Sequence, residues 1–206
     1  MENSYTYKMI MKDLYLSKNS PREVGGYIAG WYNECSEEER NELEHLIWNE
    51  YCNGNSSFWV EYMPDLINYD GISKLQETFD TEYAMNGVIA KIARVLYQAF
   101  RDDKYIEAIA NIIPCVYPHY GCIHELVKCG AGEKQNRILA DIYVNHRDSI
   151  DRRIAIEGLL YNIGSLNSED SKEKRQDVLK TYDFGSIEKR REVLGKIQSI
   201  NKPEML

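Results

Sequence analysis

Four side chains within ten residues could hold a metal: Cys115, His119, Cys122 and His124. Thiolate and imidazole are donors that zinc prefers. Their spacing, C-x3-H-x2-C-x-H, straddles Pro118 and follows no common zinc-knuckle pattern. Cys122 and Cys129 fall seven apart on one helix face, where small buried thiols are ordinary packing. These residues therefore read as core thiols and a helix-start histidine, and no metal or other cofactor is expected. Nucleophilic chemistry finds no better footing. The chain has no G-x-S-x-G, no glycine-rich phosphate loop and no H-E-x-x-H, and Glu44-His45 lacks the second histidine of that motif. Glu38 and Glu42 stand one turn apart, but they open a helix, where carboxylates are favourable anyway. No enzymatic activity is expected.

Charge is more informative. The chain of 206 residues carries a net charge of −8. Residues 1–80 hold 15 acidic and 6 basic side chains, whereas the remaining 126 hold 18 and 19, so the whole imbalance lies in the first part. Residues 34–65 contain nine acids and a single base, Arg40, interleaved with Trp48, Tyr51, Phe58, Trp59 and Tyr62. Carboxylates steer a basic partner inward and aromatic side chains anchor an interface. The expected partner-binding face is Glu37, Glu38, Glu42, Glu50, Tyr51, Trp59, Glu61, Tyr62 and Asp65, facing a basic protein. The competing reading makes Trp48, Phe58 and Trp59 core and the acids solubilising. Lys134, Arg137, Arg152 and Arg153 form a small basic patch, but nucleic-acid binding needs a broader positive face, and none is expected. No apolar run reaches membrane-spanning length. The first residues lack a basic-then-apolar leader pattern, and five cysteines without framework spacing read as free thiols, so a cytoplasmic location is expected.

The elements that must carry these residues are helices. Few Val or Thr runs and no useful period-2 segment leave little material for sheet. Ser20-Pro21-Arg22-Glu23 and Ser36-Glu37-Glu38-Glu39 both read as capping boxes. The first opens a stretch holding Gly25, Gly26 and Gly30, which close helix approach must offset unless the helix breaks. The second opens a helix to about Cys52. Residues 81–100 form the longest periodic stretch, with Val88, Ile89, Ile92, Val95 and Leu96 as its stripe. In 134–164, Ile138, Leu139, Ile142 and Tyr143 face Ile154, Ala155, Leu159 and Ile163 across a joint at Asn145–Asp148. Asp148 or Ser149 caps the second helix and Gly164 closes it. A joint this short makes the pair an antiparallel hairpin. One all-α domain over residues 1–206, with about 10 to 12 helices, is expected.

The segment LADIYVNHRDSIDRRIAIEGLLYNIG resembles a HEAT-type helical repeat, with Asp148, Arg152, Ala155 and Leu159 at the positions that carry the likeness. The resemblance covers about thirty residues and implies antiparallel hairpins stacked as a short HEAT-like α-α superhelix, used as a binding scaffold. A non-repeating helical bundle is the alternative. In type, a compact acidic helical chain of this size resembles the bacterial immunity proteins, which neutralise a cognate toxin, often a basic nuclease. That likeness implies a toxin domain as the basic partner; a structural adaptor is the second expectation and an enzyme with an unrecognised site the third.

Overall fold

A computed structural model of the chain describes residues 3–54, 56–81, 86–167, 169–182 and 185–200. The fold is all-α: twelve α-helices and three short 3-10 turns, with no strand among the described residues. No described helix is long and apolar enough to cross a membrane. The sequence reading takes residues 1–206 as one body; the contacts group them into two compact units, 1–84 and 85–206, each described by itself.

The first unit begins with α1 (Tyr5–Asn19), capped by Ser4, whose hydroxyl accepts from the Tyr7 N–H. The capping box at Ser20 yields only a 3-10 turn, Pro21–Glu23, followed by irregular chain to Gly30. Three glycines in ten residues cost a helix about 3 kcal/mol, and no helix packing offsets that here. Instead the Gly25 N–H donates to buried Asp13 at 2.9 Å. The short α2 (Trp31–Glu34) leads to α3 (Glu37–Cys52). Both halves of the α3 capping box form: Glu39 N–H donates to Ser36 Oγ at 3.2 Å, and Ser36 N–H to the Glu39 carboxylate at 2.9 Å. Ser36→Ala should therefore lower the stability of this unit by about 1 kcal/mol, measurable as an earlier urea midpoint with unchanged slope. The remaining elements are α4 (Ser56–Trp59), a 3-10 turn at Met63–Asp65, and α5 (Gly71–Thr81). Helix α3 packs on α1 and α4, and α5 on the Met63–Asp65 turn.

The second unit holds α6 (Gly87–Phe100), α7 (Asp103–Ile112), α8 (Tyr120–Lys128), α9 (Glu133–Asn145), α10 (Ser149–Asn162), α11 (Lys172–Lys180) and α12 (Ile187–Ile200). The helix expected from Thr81 to Phe100 starts instead at Gly87, because the Asn86 side chain accepts from the N–H groups of Val88 and Ile89, both at 3.0 Å. Residues 82–85 lie outside the described residues. Asp148 caps α10 through the Ile150 N–H at 2.7 Å, and Gly164, at φ +74°, takes the left-handed residue that closes it. From α6 to α10, each helix packs on the next and on the next but one. Gly158 makes one of these contacts possible: a Cβ there would lie 2.5 Å from a Val127 methyl, so α10 and α8 approach closely only without it. Ile92, Leu96, Ile106, Ile123, Leu139 and Leu160 have no solvent exposure and form the core.

Candidate functional site

The acids of α3 are positioned by α1. Across that helix pair the Tyr7 hydroxyl donates to Glu42 at 2.8 Å, and the Ser4 N–H donates to the other oxygen of Glu39 at 2.7 Å. Thr6 donates to Glu34, the last residue of α2. Asn3, Ser4, Tyr7, Glu34, Ser36, Glu38, Glu39 and Glu42 enclose a groove of about 420 Å³. It presents four carboxylates and, among the described residues, no basic side chain in its lining. Donation from the backbones of Ser36 and Ser4 holds the Glu39 carboxyl below the usual carboxylate range, so its charge persists into mild acid. The Tyr7 phenol is pushed up by burial and by its bond to Glu42, and stays a neutral donor.

Neutral hydroxyls and backbone N–H groups thus orient Glu34, Glu39 and Glu42. Such donors fix a carboxylate without cancelling its charge. A groove so built favours a partner that brings its own cations, through charge-assisted hydrogen bonds.

Of the expected partner-binding residues, Glu38 and Glu42 line this groove, and Glu37 is exposed nearby on the first turn of α3. The others are placed differently. Trp59, Tyr62 and Tyr51 are 1%, 3% and 4% exposed, so they are core and no part of an exposed face. Tyr51 donates to Thr78 at 2.9 Å. Glu50 is buried and paired with Lys18 at 2.5 Å, which cancels its charge at the surface. Asp65 is half-buried and accepts from the Tyr27 hydroxyl at 2.5 Å; Glu61 is half-buried. Tyr51 and Glu50 are buried on the last turns of α3, whereas Trp59, Glu61, Tyr62 and Asp65 lie in residues 56–66, where a four-residue helix and a 3-10 turn fold several neighbouring side chains inward. Glu34, Glu39 and Tyr7 were missed. Glu34 and Glu39 flank the Ser36 cap, a local signal, but nothing local brings Tyr7 to them.

In the second unit the candidate ligands Cys115, Cys122 and His124 do not gather: among the described residues, none of them belongs to a close group of three His, Cys or carboxylate side chains. Cys122 and Cys129 are buried, and burial raises both thiols, Cys129 to about 12. Cys115 is exposed with its thiol 3.4 Å from the Asn111 carbonyl, and His124 is exposed. The basic patch is largely committed to structure. Lys134 pairs with Glu107 and Asp103, and Arg152 donates to the carbonyls of His146 and Arg147 at 3.1 and 2.7 Å, tying the α9–α10 joint. No protein-family model, curated protein or solved structure matches the chain.

Proposed function

We propose that the chain is a binding protein whose acidic groove captures a basic protein, in the manner of an immunity protein that neutralises a cognate toxin. The observation that carries this reading is the groove itself, four carboxylates, three of them oriented by neutral donors, in a lining that holds no cation among the described residues. The next-but-one packing from α6 to α10 supports, beside it, a short HEAT-like stack as the scaffold. The anchors of the interface are the carboxylates; Tyr7, itself buried, holds Glu42 in place from within.

The test uses the basic protein that co-purifies with the chain from its own host, with a lysine- and arginine-rich peptide as a minimal probe. Glu34→Gln, Glu38→Gln and Glu42→Gln, combined, keep side-chain size and remove three charges. Glu39 is left intact because it builds the α3 cap. Association at low ionic strength should slow by about tenfold or more, with a flatter dependence on salt, while dissociation changes less. Equal association rates for the variant and the parent chain at low salt would remove the groove from the interface.

A further inference from the structure

The second unit holds another polar cluster, independent of the acidic groove. His119 immediately precedes α8, His146 immediately follows α9, and Asp151 lies in the first turn of α10. Three helix ends therefore deliver three potential ligands to one place. One donor atom from each lies within 4.8 Å of the others, the one such His, Cys or carboxylate group of three among the described residues.

Each member is already oriented. His119 Nδ1 lies 2.8 Å from the Ile113 carbonyl oxygen. A carbonyl only accepts, so Nδ1 carries the hydrogen, and the neutral ring keeps its lone pair on Nε2. A histidine whose far nitrogen donates to a backbone carbonyl has the outer-shell bond typical of metal-ligating imidazoles. His146 is pinned through its backbone: its N–H donates to Ile142 and its carbonyl accepts from Arg152. The His146 and His119 rings stand 5.1 Å apart and nearly perpendicular, at 81°.

The polar atoms between them are poorly satisfied. Asp151 is 3% exposed. Its Oδ2 is 3.2 Å from His146 Nδ1, yet that buried nitrogen makes no aligned hydrogen bond. A buried carboxylate facing a buried, unbonded imidazole nitrogen is costly unless something else satisfies both. A cation held by both atoms would satisfy them without an aligned hydrogen bond between them.

We propose that His119, His146 and Asp151 bind a divalent first-row transition ion, zinc foremost, through two imidazole nitrogens and one carboxylate oxygen. Water completes the coordination. Two nitrogens and one oxygen suit zinc and its neighbours and disfavour calcium and magnesium, which take oxygen ligands. Bonds of about 2.1 Å place tetrahedral donors about 3.4 Å apart, a contraction that modest side-chain rotations at three helix ends supply. Three protein ligands plus water leave an exchangeable position. His146 also borders a groove of about 570 Å³ whose wall includes Ala110, Ile113, Pro114, Ile138 and Ile142. A small molecule with an apolar body and an anionic or imidazole-like head would suit both the groove and the ion.

The test takes the full chain, stripped with a chelator and dialysed. Titration with zinc chloride should give one ion per chain with micromolar or tighter affinity, and the melting temperature should rise by several degrees. Cobalt(II) chloride should give visible d–d bands without a thiolate charge-transfer band. His119→Ala and His146→Ala should each weaken binding by about 100-fold or more. His119 sits on a half-exposed turn, so its variant decides the matter if circular dichroism finds His146→Ala unfolded. Cys115→Ser, Cys122→Ala and the triple glutamine variant of the acidic groove should all keep the ion, so this site and the groove stand or fall separately. Absence of saturable binding below millimolar zinc overturns the assignment. So does binding that survives His119→Ala, or a thiolate band lost in Cys115→Ser.

Discussion

Replacing Trp59 with alanine should lower the stability of the first unit by about 3–5 kcal/mol, the range for emptying a buried indole site. Trp59 is 1% exposed, and its ring centroid lies 5.4 Å from that of Tyr62. Tyr62 also meets Tyr27 edge-on at 5.0 Å and Trp31 at 6.3 Å, so it is the hub of four rings. The walls of this site are tied and will not collapse into a void. Tyr62 Oη accepts from the Ile28 N–H at 3.3 Å, and Tyr27 donates to Asp65. A loss of this size is a large share of the roughly 5–15 kcal/mol by which small domains are stable. Trp59→Phe should be far milder. Trp59 Nε1 is buried without a protein acceptor, so removing that N–H relieves an unpaired donor and partly offsets the lost volume. Urea unfolding followed by circular dichroism measures both. An alanine variant within about 1 kcal/mol of the parent would return the indole to the surface and restore it to the partner-binding face.

That experiment bears on what was legible in the sequence. The helix starts at Ser36 and Asp148 were, because capping is local: each accepts from an N–H two or three residues ahead, whereas the same residue types at Ser20 yield only a 3-10 turn. The stripe of Val88, Ile89, Ile92, Val95 and Leu96 was legible for the same reason, since helical period is a local property; all but the half-buried Val88 are buried. The Trp59 region was not. Trp59, Val60, Tyr62, Met63 and Leu66 are buried at the spacing of a continuous helix, yet the chain runs there as a four-residue helix and a 3-10 turn around Pro64, so the period does not report the local structure. In such a segment the sequence offers aromatic and acidic residues together, and only packing separates anchors from core.

The candidate site was half legible for a related reason. Glu38 and Glu42 share a helix face, which spacing reveals. Their grouping with Tyr7 and Glu34 depends on the α1–α3 contact, which no local pattern encodes. Glu50 looked equivalent to Glu42, being two turns further along α3, yet Lys18 of α1 neutralises it. The two ends of one helix thus meet different neighbours, one supplying hydroxyls and the other an ammonium. His119, His146 and Asp151 repeat the lesson. His119 was weighed with cysteines adjacent in sequence, whereas its partners come from the α9–α10 joint.

Arg94→Ala should destabilise the second unit by about 3–5 kcal/mol, although the residue touches neither candidate site. Arg94 projects from α6 and is 5% exposed. Its Nε donates to Glu125 of α8 at 2.6 Å and its Nη1 to Gln98 at 2.9 Å. The Glu125 side chain is 13% exposed and also meets Lys128, more exposed, at 3.3 Å. Truncating Arg94 therefore leaves a nearly buried carboxylate with its longer contact to Lys128 in place of the 2.6 Å bond, and that poorly compensated charge, more than the lost attraction, sets the cost. Desolvation of both ions opposes the pair in the parent chain, so replacing both members by apolar groups should recover most of the loss. Arg94→Met with Glu125→Leu is expected within about 1–2 kcal/mol of the parent, far better than either change alone. The four-member cycle is read by urea unfolding. Additive losses in the double variant would mean that α6 and α8 are joined by independent contacts and that the ion pair does not couple them.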